Sequence, residues 1–246
     1  MIFSIADKLE KVRARIQKAT ISAKRAPDSV QLLAVSKTRA AAELFELIEA
    51  GQTQFGENYL NEALDKQRAL ASLCLVQTKK EQLASVIWHF IGPIQSNKTR
   101  AIAENFAWVQ SIDRAKIVQR LDAQRPVHLG PLNCCIQVNI DEEETKSGVN
   151  LAEVDLLAAE IEATPNLSLR GLMCIPDADQ DEASLRASFK RMADKFAALR
   201  QRYPSVDTLS MGMSGDIEIA IECGSTMVRV GTALFGERTT ETMQKQ

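Results

Sequence analysis

Lys37 closes the run Leu32-Leu33-Ala34-Val35-Ser36-Lys37, apolar residues followed by a hydroxyl and an amine. A short apolar run of this kind reads as a fully buried strand, and a helical segment from about Ala40 to Ala50, closed by Gly51, comes after it. Lys37 therefore stands where a strand gives way to a βα loop, the edge at which parallel α/β proteins bind ligands. Desolvation disfavours the ammonium form of an amine whose stem lies against an apolar core. A neutral amine there attacks an aldehyde and forms a Schiff base. The plainer alternative is a surface lysine just past a strand. A second group of residues lies near the C-terminus: Ser210-Met211-Gly212-Met213-Ser214-Gly215-Asp216, then Arg229, Gly231 and Thr232 before Ala233-Leu234-Phe235-Gly236. Glycines let backbone N–H groups approach an anion, and a helix N-terminus adds a favourable dipole. The alternative for the first loop is a turn plus a helix N-cap.

An amine on one side and an anion cup on the other suit a phosphorylated aldehyde. Pyridoxal 5′-phosphate satisfies both, with its aldehyde on Lys37 and its phosphate at Ser210, Ser214, Gly231 and Thr232. Arg229 becomes a candidate partner for the pyridine nitrogen, since an always-charged guanidinium there keeps that nitrogen unprotonated. An acid there would instead strengthen the ring as an electron sink. An ion pair of Arg229 with Glu222 or Asp216 is the competing reading. Asn58 follows the second strand candidate and His89 lies near the end of the third; both are candidates to line the ring, with His89 equally placed to act as a supporting donor. Lys146 is the rival amine, among the acidic neighbours Glu142, Glu143 and Glu144. Met173, Met211 and Met213 suit packing better than reaction.

These residues need a scaffold, and strand and helix signals alternate from Gln31 onward. Strand candidates are Gln31–Ser36, Thr53–Gly56, Val86–Ile91, Ala107–Ile112, Asn133–Ile140, Ser168–Ile175, Thr208–Met211 and Met227–Val230. Helical patterns fall at about 40–50, 57–70, 95–105, 114–124, 151–163, 181–202 and 216–222, with a short one at 233–236. Such alternation implies a parallel sheet. Eight units of this kind in 246 residues fit a single-domain (β/α)8 TIM barrel, with a doubly wound open sheet as the alternative. Residues 1–28 are expected to form an extra N-terminal helix whose Lys11, Arg13 and Arg15 make a solvated face. The barrel is expected over 29–238, with a frayed tail at 239–246.

Composition bounds the partners. Lys+Arg 30 against Asp+Glu 32 gives a net charge of −2, and no basic run marks a nucleic-acid surface. No apolar stretch approaches the ~20 residues of a membrane span, and the N-terminus lacks the pattern of a signal peptide. The five cysteines form no C-x-x-C pair, which reads as free thiols in a reducing cytoplasm. With only two histidines, His89 and His128, no metal site is expected.

Together, several stretches resemble the YggS/PROSC family of pyridoxal phosphate homeostasis proteins. They are A-V-S-K-T at 34–38, F-G-E-N-Y at 55–59, W-H-F-I-G-P-I-Q-S-N-K at 88–98, T-K-S-G at 145–148, R-G-L-M at 170–173, L-S-M-G-M-S-G-D at 209–216 and G-S-T-M-V-R-V-G-T-A-L-F-G at 224–236. The resemblance implies a barrel similar to the N-terminal domain of alanine racemase. It implies Lys37 as the covalent cofactor lysine, a phosphate site on the loop bearing Ser210, Met211 and Ser214 and on Gly231-Thr232, and Arg229 as the ring-nitrogen arginine. It implies a cytoplasmic, non-catalytic protein that stores, buffers or delivers pyridoxal phosphate, with pyridoxal-phosphate-dependent apoenzymes as recipients and a monomer expected. The alternative is an amino-acid racemase. Two-base racemisation needs a group on each face of the cofactor, and the only tyrosines are Tyr59 and Tyr203.

Overall fold

A computed structural model describes residues 4–76, 81, 84–143, 146–177 and 179–237. The order is α1 (Ile5–Ser22), β1 (Gln31–Val35), α2 (Ala41–Glu49), β2 (Gln54–Glu57), α3 (Leu60–Val76), β3 (Ile87–Phe90), α4 (Thr99–Asn105), β4 (Trp108–Ile112), α5 (Ala115–Gln124), β5 (Leu132–Val138), α6 (Val154–Glu162), β6 (Leu167–Cys174), α7 (Glu182–Arg202), β7 (Thr208–Ser210), α8 (Ile217–Glu222), β8 (Met227–Val230) and α9 (Thr232–Phe235). The strands pair in parallel, each with the next in sequence, and β8 returns to β1 with Leu33 opposite Arg229. The sheet is a closed barrel, so the open-sheet alternative falls. The expectation for residues 239–246 lies outside the described residues.

Local chemistry sets the ends of the elements. A capping box starts α1: Asp7 N donates to Ser4 Oγ at 3.1 Å and Ser4 N to Asp7 Oδ2 at 2.9 Å. The helix stops at Ser22, short of the segment 1–28 expected for it. Lys24 turns left-handed at φ 57°, and Arg25 N reaches back to Thr20 O at 3.0 Å. β2 runs one residue further than expected and takes in Glu57. α3 accordingly begins at Leu60 instead of residue 57. α4 starts only at Thr99, because Gln95 to Lys98 close a turn through Lys98 N and Gln95 O at 2.9 Å.

Alternation along each strand separates two environments. Ala34, Phe55, Trp88, Phe90, Val109, Leu209, Val228 and Val230 belong to the main core, which includes buried residues of the helices. Leu33, Ile91 and Met227 form a separate small cluster with Val35. Gly56 shares this lumen, since a Cβ there would come within 3.0 Å of Ile91 and 3.2 Å of Leu33. Polar lumen residues sit beside them and connect to the site.

Candidate functional site

A cavity of about 350 Å³ opens at the C-terminal ends of the strands. Val35 and Lys37 line it from β1 and its loop, Asn58 from beyond β2, Ile91 from beyond β3 and Ile175 from beyond β6. Met213, Ser214 and Gly215 contribute from the β7–α8 loop, and Arg229, Gly231 and Thr232 from β8 and its end. Lys37, Asn58, Ser214, Arg229, Gly231 and Thr232 are thus brought together. His89, Ser210 and Met211 are not among the lining residues. Met211 is buried in the main core, while His89 and Ser210 belong to a polar network below.

The loop carrying Lys37 is held on both sides. Ser36 Oγ donates to Glu57 Oε1 at 2.6 Å, and Lys66 Nζ donates to Ser36 O at 2.5 Å. Lys66 also pairs with Glu57 at 2.7 Å and Glu62 at 2.5 Å. On the other side, Thr38 N donates to Glu62 Oε1 at 2.5 Å. Thr38 has φ 63°, a left-handed conformation that a β-branched residue adopts only where its surroundings enforce it. Glu57 is fully buried, and burial pushes its carboxyl up, opposed by Lys66 and the Ser36 hydroxyl. Sequence reading places Glu57 at the start of the helix after β2 and does not single out Lys66. The readable signal was the Glu62–Lys66 spacing of four along a helix, which puts both on one face. Asn58 is held by close backbone approach: a Cβ on Gly92 would lie 2.2 Å from Asn58 O, so only glycine fits there.

The β7–α8 loop is closed by a reciprocal pair. Met213 N donates to Asp216 Oδ1 at 2.5 Å, and Asp216 N to Met213 O at 3.1 Å. Gly212, at φ 98°, lets Arg229 N donate to its carbonyl at 2.9 Å. The backbone N–H groups of Ser214 and Gly215 find no acceptor among the described residues. Thr232 begins α9, so its N–H has no partner within that helix. Ala233 N donates to Ser214 Oγ at 3.4 Å and ties the two loops together.

Arg229 is buried, with Nη1 donating to Ser210 O at 2.8 Å and Ser210 Oγ at 2.9 Å, and Nη2 to Cys174 O at 2.8 Å. Burial pulls its guanidinium down from its ordinary value, opposed by Cys174 and Asp216, but an arginine stays protonated. Ser210 Oγ donates on to Gln110 Oε1 at 2.7 Å, and Gln110 Nε2 meets His89 Nδ1 at 3.0 Å. His89 therefore accepts at Nδ1 and carries its proton on Nε2, by the logic of the network. It stacks on Trp108 at 5.1 Å, and burial pulls it down to about 3, which keeps it neutral. Ser210 and His89 thus support Arg229 from beneath.

The donor set fits an anionic, aromatic cofactor. Among the described residues lining the cavity, Lys37, Arg39 and Arg229 are cationic and none is acidic. Asn58 Oδ1 is a buried polar atom with no partner, which a bound group would satisfy. Lys146 does not line this cavity; it pairs with Glu143 and lies 4.0 Å from Asp177. Neither Tyr59 nor Tyr203 lines it. Tyr203 follows the C-terminus of α7, and Tyr59 lines a neighbouring groove with Thr38 and Arg39. Among the described residues, no cluster of three or more His, Cys, Asp or Glu is placed to hold a metal ion. The solvated face expected on α1 needs correction. Arg13 donates to Ala50 O at 3.2 Å and Gly51 O at 2.8 Å, and Arg15 reaches the β7–α8 loop.

Known proteins share this sequence pattern and fold. The family model of the alanine racemase N-terminal domain matches residues 8–239. The chain is 50% identical to the pyridoxal phosphate homeostasis protein of Escherichia coli K12 over 234 residues, covering 95% of this chain and 97% of that one. It is 52% identical to the protein of that name from Pseudomonas aeruginosa over 235 residues, covering 96% of each. Among solved structures, PipY of Synechococcus elongatus with pyridoxal phosphate bound superposes with a TM-score of 0.79 at 33% identity, over 94% of this chain and 100% of that one. An alanine racemase from Corynebacterium glutamicum shares the fold at a TM-score of 0.65 and 16% identity, over 94% of this chain and 62% of that one.

Proposed function

The chain belongs to the alanine racemase N-terminal-domain family, among its pyridoxal phosphate homeostasis proteins, and from that premise we propose that it binds pyridoxal 5′-phosphate at the barrel mouth and stores, buffers or delivers it. The observation that carries the reading is one cavity lined together by Lys37, Ser214, Gly215, Gly231, Thr232 and the buried Arg229. Bound there, the cofactor supplies an aldehyde that an amine can capture reversibly. Lys37 is the amine, presented by a backbone that Lys66 and Glu62 hold on both flanks. The hydroxyls of Ser214 and Thr232 and the N–H groups of the two loops hold the phosphate. Asn58 serves the ring, and Arg229 faces the pyridine nitrogen with a proton it does not give up. Ser210, Gln110 and His89 fix Arg229 in place.

The same residues favour binding over turnover. Lys37 can move a proton on one face of the cofactor, but among the described residues no tyrosine, histidine or carboxylate lines the cavity to act on the other. Arg229 leaves the ring a weak electron sink. The protein acts in the cytoplasm as a monomer, and its recipients are apoenzymes that use the cofactor. No described helix is long and apolar enough to cross a membrane. The test is to incubate the loaded protein with each proteinogenic L-amino acid in deuterium oxide and follow Cα exchange and optical rotation. Absence of exchange, with an apo-transaminase activated faster than by spontaneous release, supports delivery; absence of both leaves storage. Steady multiple-turnover exchange that vanishes in Lys37→Ala restores the racemase.

A further inference from the structure

α1 stands outside the βα units, yet one of its side chains reaches the cavity wall. Arg15 Nε and Nη2 meet the two carboxylate oxygens of Glu218, each at 2.5 Å, and Nη1 donates to Ser214 O at 2.7 Å. A planar guanidinium engaged at all three nitrogens is fixed in orientation as well as position. Glu218 lies in the first turn of α8 and Ser214 in the loop before it, so the fork spans the join between them. The Glu218 carboxyl is held below its ordinary value by Arg15, so the pair is ionised across the neutral range.

The oxygen that Arg15 holds shares a peptide group with the Gly215 N–H. No peptide bond among the described residues is cis, and in a planar trans peptide the N–H is antiparallel to the C=O. With Ser214 O turned toward α1, the Gly215 N–H is turned away from it. That N–H has no acceptor among the described residues, and Gly215 lines the cavity. A Cβ on Gly215 would find nothing within 4 Å, so the space beside this peptide is open. A charged donor on the carbonyl also polarises the peptide and strengthens its N–H as a donor.

We propose that Arg15 is a positioning residue for anion recognition: by holding Ser214 O it aims and polarises the Gly215 N–H toward the phosphate of the bound cofactor. The inference rests on the reading of Ser214, Gly215, Gly231 and Thr232 as the phosphate cradle. It makes the N-terminal helix part of the site.

The experiment measures affinities for pyridoxal 5′-phosphate and for unphosphorylated pyridoxal, and takes their ratio, in Arg15→Met, Arg15→Lys, Glu218→Gln and Thr232→Ala. A change that only loosens the fold weakens both ligands alike and leaves the ratio unmoved. Arg15→Met is expected to lower the ratio about tenfold, the effect of one lost hydrogen bond to a charged group. Arg15→Lys is expected to restore part of it, and Glu218→Gln to lower it by less. If Arg15→Met does not fold, the milder Arg15→Lys and Glu218→Gln carry the test through the same ratio. A lowered ratio in Thr232→Ala with an unchanged ratio in the Arg15 and Glu218 variants overturns the role of Arg15 and leaves the cradle standing. An unchanged ratio in Thr232→Ala and the Arg15 variants alike overturns the cradle reading, and the role of Arg15 with it.

Discussion

His89 offers a sharp test of the network beneath the cavity, because its burial converts directly into a pH dependence of stability. In the unfolded chain it takes up a proton near 6.5; in the folded barrel, burial pulls it down to about 3. The sign follows: between these values the unfolded state binds a proton that the folded state does not, so stability falls as pH falls from 6.5 toward 3. Above 6.5 the effect is absent. At about 1.36 kcal/mol for each pH unit, the His89 contribution lost by pH 4.5 is about 2.7 kcal/mol. His89→Gln keeps an acceptor for Gln110 Nε2 but carries no titrating ring. Urea unfolding of both proteins at steps from pH 7.5 to 4.5 should show wild type losing about 2.7 kcal/mol more than the variant. Loss of the stack on Trp108 lowers the variant by a constant amount and leaves this difference intact. Carboxylates such as Glu57 titrate in both proteins and cancel. Parallel stability curves would mean that His89 is solvated or protonated in the folded state, and that the Arg229–Ser210–Gln110–His89 chain is wrongly drawn.

Other expected outcomes follow from the same contacts. Thr232→Ala should weaken pyridoxal 5′-phosphate by about 1.5–3 kcal/mol while barely affecting pyridoxal, measured by equilibrium titration. Ser210→Ala should weaken the two ligands equally, because its hydroxyl serves Arg229 and Gln110 rather than the cavity; a phosphate-selective loss would place Ser210 in the cradle after all. Lys66→Met should cost about 3–5 kcal/mol in denaturant unfolding by leaving Glu57 buried and unpaired, and adding Glu57→Gln should return part of it. A loss below about 1 kcal/mol, the range of a surface pair, would mean the cluster is solvated.

The barrel was legible because its signals are local and repeated. Each strand candidate fell within about two residues of an observed strand, since short apolar runs between amphipathic helices leave little choice of pairing. That Lys37, Arg229, Gly231 and Thr232 line one cavity was legible because barrel enzymes build their sites from residues at the C-terminal ends of the strands. Ser210, read by the same logic, does not line that cavity. It ends β7, but its side chain points into the lumen, where Arg229 and Gln110 take up its hydrogen bonds. The supports of the site were illegible for a different reason. Arg15 meets Glu218 across 203 residues, and Lys66 meets Ser36 across 30. In a linear sequence each is one charge on an amphipathic helix, and only the closed barrel brings its partner beside it. Gln110 left a fainter trace, a polar residue within the strand W-V-Q-S-I.

The central claim is that Lys37 captures the cofactor aldehyde, and one measurement addresses it most directly. The purified protein, loaded with pyridoxal 5′-phosphate, is reduced with borohydride, digested and mapped by mass spectrometry, with the visible spectrum recorded before and after. The expected result is a cofactor-derived label on Lys37, with the visible band lost on reduction and absent from Lys37→Ala. A label carried mainly by Lys146 in the unsubstituted protein would contradict it.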